Sequence, residues 1–161
     1  MLIARRTLRE QLGVLHRQLL ELVRHDPVCR RLMTAPGVRP VVALTFRATV
    51  DVPSRFTSAK TVGAAFGLTP RRYQSGETDR MGAVSKCGDR MMRVMLFEAA
   101  LALMVCSRKW SWLKAWGMKI ARHRGMKRAI IAVARRLAVI LHRMWVDGTE
   151  FRWTREQAVA A

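Results

Sequence analysis

From Asp89 to Cys106 the chain is apolar at almost every position: Met91, Met92, Val94, Met95, Leu96 and Phe97, then Leu101, Leu103, Met104 and Val105. Only Arg90, Arg93 and Glu98 interrupt the run. A stretch of this length fits a helix, and a helix apolar around its whole circumference has to be covered by other elements. It is therefore the expected central helix, and the rest of the chain has to build its cover. Its methionines read as adaptable core filler rather than a metal or cofactor box. Asp89 stands where a helix N-cap is needed.

The cover is expected to be helical as well, which makes the fold class all-α. Residues 2–24 place Leu8, Leu12, Leu15, Leu19 and Leu22 on a seam of period about 3.5. Arg6, Arg9, Arg17 and Arg24 lie on the far side. The seam is only about two heptads long, and Gly13 weakens it. It packs either on the chain's own core or on a second helix. Asp26-Pro27 ends this helix. A short helix from Val28 to Met33, the turn Ala35-Pro36-Gly37-Val38 and an apolar segment from Val41 to Val50 follow. The segment reads as a helix, with valine and threonine leaving a strand open. The arrangement is helix-hairpin-helix-like, with Arg39 where a second glycine usually stands. The turn is thus either a phosphate contact or an ordinary connector. Ser58 can cap a helix from Ala59 to Phe66. Gly67 and Pro70 stop it, and exposed turns follow at Tyr73-Gln74-Ser75-Gly76 and Ser85-Lys86-Cys87-Gly88. After Gly125, Met126 to Trp145 carries a stripe of Ile130, Val133, Ala134, Leu137, Ile140, Leu141 and Met144, with His142 beside it as a structural histidine. The expected division is a coiled-coil-like helix over 1–26, a basic helical domain over 27–148 and a polar tail over 149–161.

Charge narrows the function. The formal net charge is +19, from 30 Lys/Arg against 11 Asp/Glu, far more than solubility requires, and it points to a polyanionic partner. Residues 99–146 hold 11 Lys/Arg and no acidic residue. Trp110, Trp112 and Trp116 are interleaved there with Arg108, Lys109, Lys114 and Lys119, a pattern that stacks on bases while cations meet phosphates. Burial of one indole face competes with that reading, most strongly for Trp112 and Trp116. Cys29, Cys87 and Cys106 are too widely spaced for a zinc site or a disulfide framework, which suggests a reducing cytoplasm. No apolar run suits a signal peptide or a membrane span. Within 67–98, Arg71, Arg72, Arg80 and Lys86 surround two serines, Ser75 and Ser85, close to a helix N-terminus that favours anions. A serine hydroxyl attacking a phosphodiester needs such cations. No histidine lies nearby to pair with either serine, and Glu77, Asp79 and Asp89 are most simply ion pairs or caps.

The order Gly67-Leu68-Thr69-Pro70-Arg71, Tyr73, Ser75-Gly76, then Gly82, Ser85-Lys86, Gly88-Asp89, Arg93 and an apolar helix with Glu98-Ala99-Ala100 resembles the C-terminal domain of the IS-one-ten (IS116/IS902) family of insertion-sequence transposases. Ala35-Pro36-Gly37-Val38 and Arg55-Phe56-Thr57-Ser58-Ala59-Lys60 fit the same pattern, and the resemblance covers roughly 30–110. It implies a serine nucleophile in this domain, assigned to Ser75, with Ser85 as the alternative. It also implies binding of DNA and of a guide (bridge) RNA, for which Arg71, Arg72, Arg80, Lys86, Arg90, Arg93, Lys109 and Lys114 are the candidate contacts. In the family a RuvC-like domain with four Asp/Glu holds magnesium. That domain is not found in these residues, so the chain is expected to be truncated or a fragment, to carry no cofactor itself and to be inactive alone. The leucine seam then becomes the tail of an interdomain coiled coil, joining a second copy or an intact transposase. Localisation is expected in the bacterial cytoplasm, at the nucleoid. A non-catalytic nucleic-acid-binding remnant and a ribosome-associated RNA-binding protein remain as rivals.

Overall fold

The computed structural model describes residues 1–75 and 77–154. Its helices are α1 (Leu2–His25), α2 (Pro27–Leu32), α3 (Pro40–Val50), α4 (Ala59–Ala65), α5 (Arg90–Leu101), α6 (Trp112–Arg124) and α7 (Met126–Val146). A 3-10 turn, Pro53–Arg55, follows α3, and a π-helical turn, Ala102–Cys106, extends α5. Between α4 and α5 two strands, β1 (Pro70–Ser75) and β2 (Thr78–Val84), pair as an antiparallel hairpin. The molecule is thus mostly helical, as the sequence indicates. The hairpin corrects the expectation of simple turns after Gly67. The last residues of the expected polar tail, 155–161, lie outside the described residues.

Local chemistry sets the helix ends. Asp26 accepts from the backbone N–H of Val28 at 2.7 Å and of Cys29 at 3.3 Å, and so caps α2 just where Pro27 prevents α1 from continuing. The same carboxylate lies 3.5 Å from Arg47 Nε and accepts the Cys29 thiol, which ties the α1–α2 corner to α3. Ser58 caps α4, Asp89 caps α5 through Met92 N–H, and Ser111 caps α6. Gly125 separates α6 from α7.

The core gathers on α7, whose Ala129, Ile130, Val133, Ala134, Leu137, Ala138, Leu141 and Met144 are buried against α4, α5, α6 and α2. Ile140 is only half-buried. The apolar run at 89–106 is covered on fewer sides than its composition suggests. Met92, Leu96, Ala99, Ala100, Leu103 and Met104 are buried. Met91 and Val94 remain 57% and 45% exposed, on sides of α5 away from its main neighbours α3 and α7, and Val105, in the π-helical turn, is 62% exposed. The Pro36-Gly37 turn faces this helix: a Cβ on Gly37 would stand 2.2 Å from Ala99 O. The α2–α3 turn is therefore a packed connector, and its inner side presents no backbone to a phosphate.

Helix α1 meets the body only near its end. Val23 is buried and Leu19 half-buried, but Leu8, Leu12, Leu15 and Leu22 are exposed. At the other terminus Phe151 is buried, and its N–H donates to Thr34 Oγ1 at 2.9 Å, so the segment after α7 begins by packing back. His142 is buried, with its Nε2–H donating to Pro53 O at 3.0 Å and its ring edge-on to Phe56, which fits its structural reading. Among the described residues, no helix is long and apolar enough to cross a membrane.

Candidate nucleic-acid interface

The hairpin is polar on both faces. Its register opposes Tyr73 to Arg80, Gln74 to Asp79 and Ser75 to Thr78. Opposed residues share a face, so Ser75, Tyr73 and Arg80 lie on one side and Arg72, Gln74 and Asp79 on the other. On the second side Arg72 holds Asp79 with Nε to Oδ1 at 3.0 Å and Nη2 to Oδ2 at 2.7 Å. This fork keeps the Asp79 carboxyl below its usual range and raises Arg72. Asp79 is thereby a poor proton acceptor, and Arg72 serves to clasp the two strands. On the first side the Tyr73 ring crowds Gly82: a Cβ there would be 2.6 Å from Tyr73 Cε2. The ring is nevertheless 57% exposed.

The root of the hairpin is a crossing of two backbones. A Cβ on Gly67 would meet Cys87 O at 2.0 Å, and one on Gly88 would meet Ala65 O at 1.8 Å. Ser85 N–H donates to Thr69 O at 2.8 Å and Lys86 N–H to Gly67 O at 3.1 Å. Only residues without a side chain allow α4 and the return strand to touch in this way.

The two candidate serines occupy different places. Ser75 is exposed at the far end of β1, and Ser85 is half-buried at the root. The Ser85 carbonyl accepts from Arg71 Nη2 at 3.2 Å, which commits Arg71 to the root. Arg80, Lys86 and Arg90 are exposed around the hairpin and the start of α5. Arg93 is half-buried and donates to Phe66 O at 3.2 Å. Asp89 Oδ1 already takes the Met92 N–H, so the α5 N-terminus is filled by the chain's own carboxylate. Lys109 and Lys114 sit near the start of α6. Lys109 Nζ lies 4.2 Å above Trp153, and Lys114 Nζ donates to Ser107 O at 2.7 Å and faces Trp110 at 5.5 Å. The tryptophans divide: Trp110 is exposed, whereas Trp112 stacks on Phe151 and donates Nε1–H to Arg152 O at 2.9 Å. Among the described residues, no group of three His, Cys, Asp or Glu is placed to hold a metal ion.

Sequence reasoning assigned no role to Tyr73. A glycine in a strand facing an aromatic residue is a recognised pairing, but it becomes visible only once the register is known.

Residues 29–116, more than half of the chain, match the model of the family described as Transposase IS116/IS110/IS902 family. The chain is 30% identical over 150 residues to the y4pF/y4sB sequence of Sinorhizobium fredii, named as a transposase, covering 92% of this chain and 39% of that one. It is 31% identical over 137 residues to the transposase for insertion sequence element IS1111A of Coxiella burnetii, covering 82% and 36%. It is 28% identical over 147 residues to the transposase for insertion sequence element IS1328 of Yersinia enterocolitica, covering 88% and 43%. The chain thus spans about two-fifths of the length of these relatives. With the matched residues running from α2 through the hairpin into α6, the chain belongs to the IS116/IS110/IS902 family of transposases.

Proposed function

We propose that this chain is the serine-bearing domain of a DNA transposase, that it binds DNA together with a guide RNA, and that Ser75 is its nucleophile. One observation carries the choice of serine: Ser75 is exposed at the tip of a cationic hairpin, while Ser85 is half-buried at its root. In the reaction Ser75 Oγ attacks a strand phosphorus. A P–Oγ ester forms, one P–O bond to the strand breaks, and the departing strand end takes a proton as a hydroxyl. The serine proton passes to a base other than Asp79, which is held by Arg72. Arg80, on the Ser75 face, is placed to balance phosphate charge. Magnesium would be supplied by a RuvC-like domain of the complete enzyme. The exposed leucine seam of α1 would join a second transposase helix, and the work would be done in the bacterial cytoplasm on the nucleoid.

The test is a recombination reaction reconstituted with a RuvC-like domain and read as protein–DNA adduct on a denaturing gel. Ser75→Ala should abolish the adduct and Ser85→Ala should leave it. If both variants form adduct as the parent does, the serine assignment is lost. A parent chain that binds DNA and never forms adduct is a non-catalytic remnant.

A further inference from the structure

Helices α6 and α7 pack side by side from the Gly125 corner and leave an open groove between them. It has a volume of about 560 Å³ and is lined by Trp116, Lys119, His123, Arg124, Arg128 and Arg135. That volume lies in the range of pockets that enclose small organic molecules, about 300–1,000 Å³. Trp116, Lys119 and His123 follow one another at helical spacing along α6, as do Arg128, Ala132 and Arg135 along α7. The lining contains no carboxylate, and neither does any residue from 99 to 146. Cations gathered this closely repel one another, and a polyanion relieves that repulsion.

The groove is also built around an aromatic plane. Trp116, half-buried, lines the groove, and the Arg136 guanidinium lies over its ring, 4.5 Å from the centroid, and 5.1 Å from that of Trp112. Ile120 adds an apolar floor. On the opposite wall Arg135 passes over α4 at Gly63, where a Cβ would stand 3.0 Å from Arg135 Cγ. The glycine leaves the passage that the arginine stem occupies.

We propose that this groove holds a single-stranded segment of nucleic acid, with an unpaired base against Trp116 and its flanking phosphates on Lys119, Arg124, Arg128 and Arg135. The proposal rests on the reading of the chain as a nucleic-acid-binding protein, but it involves neither Ser75 nor the hairpin. An indole plane is useful only where a base offers a free face, and a duplex hides those faces in its stack. The lining has no amide, hydroxyl or carboxylate, and with its cations on phosphates the base is held mainly by stacking, which tolerates sequence. A phosphodiester chain with an exposed base occurs in guide RNA and in melted DNA alike.

Binding of labelled oligo(dT), oligo(U) and a duplex of equal length, each about a dozen nucleotides, is followed by fluorescence anisotropy across a salt series. The exposed triple variant Lys119→Gln/Arg124→Gln/Arg128→Gln should reduce the single-strand slope of log K against log salt by about 2, from roughly 0.7 per lost phosphate contact. The control Arg5→Gln/Arg9→Gln/Arg17→Gln on α1 removes the same charge and should change the slope far less. Trp116→Leu should weaken single-strand binding by about 5- to 100-fold, and Trp116→Phe should restore most of it. If Trp116→Leu fails to fold, the triple variant and its control still decide. Equal effects on oligo(dT) and oligo(U) support the shared chemistry, and a preference for one names the source. The proposal is overturned if the α1 control matches the groove triple, if a folded Trp116→Leu binds within twofold of the parent, or if duplex binding suffers as much as single-strand binding. These values report binding alone and require no protein–DNA adduct, so failure of the groove is read separately from failure of the serine.

Discussion

Replacing Gly88 by alanine tests the joint on which the hairpin stands. Gly88 has φ of 102°, and an added Cβ would lie 1.8 Å from Ala65 O and 2.9 Å from Ala65 C. Such a backbone conformation costs an L-residue about 1–3 kcal/mol. The contact adds to this, because the obstacle is main chain and no rotamer removes it. A total of about 3 kcal/mol or more is expected. The hairpin buries little apolar surface, so the strain is relieved most easily by releasing the hairpin rather than by unfolding the core. Trypsin reports this directly, since Arg71, Arg72 and Arg80 lie on the hairpin. Cleavage tracks the open population when reclosing is fast, and about 3 kcal/mol raises that population by about 100-fold. The helical circular-dichroism melt should fall less than it does for Gly37→Ala, whose Cβ would strike Ala99 O at 2.2 Å inside the body. Gly13→Ala is the opposite control. Nothing lies within 4 Å of its Cβ, and it should stabilise α1 by about 0.5–1 kcal/mol with hairpin cleavage unchanged. If Gly88→Ala is cleaved at the parental rate, or melts as Gly37→Ala does, the hairpin is not hinged at this crossing.

The buried Cys29 thiol is pushed up to about 12, first by burial and then by the neighbouring Asp26 carboxylate, with Arg47 opposing. Alkylation at pH 8 should therefore modify exposed Cys87 and Cys106 and spare Cys29 until the protein is denatured, as intact mass will show. Labelling of Cys29 at the rate of Cys106 would refute this. Because its folded value is raised, Cys29 contributes stability below the unfolded value of about 9.0, and that contribution is lost as pH rises towards about 12. Melts across pH 8 to 11 should decline less steeply for Cys29→Ala. The α1 seam gives a further prediction. Leu12→Glu/Leu15→Glu should convert an oligomer to a monomer by light scattering and leave the melt nearly unchanged, since both residues are exposed. A parent chain that is already monomeric removes that role.

The sequence exposes some of this organisation clearly and hides other parts for physical reasons. The stripe on α7, the break at Asp26-Pro27 and the caps at Ser58 and Asp89 are legible because helical periodicity and capping act over a few residues. The hairpin is not, because Arg71, Tyr73 and Ser75 are no more apolar than Arg72 and Gln74, and a strand wet on both faces shows no alternation. Composition overstated the cover of α5, because apolarity does not tell which sides neighbouring helices reach. The absence of acid between 99 and 146 was plain, but the groove it serves requires two helices to meet. The bias towards Ser75 came from a family pattern, and the hairpin supplies a physical distinction between it and Ser85: one serine is at the tip and the other at the root.

All six residues of β1 are exposed, and among the described side chains of β2 Asp79 and Arg80 are exposed too. A lone two-stranded ribbon is only marginally stable in water, so its shape is governed by its anchorage at Gly67 and Gly88 and by the Arg72–Asp79 clasp. Its hold on the body is concentrated at its root. A two-stranded ribbon is a form that the major groove of B-form DNA admits.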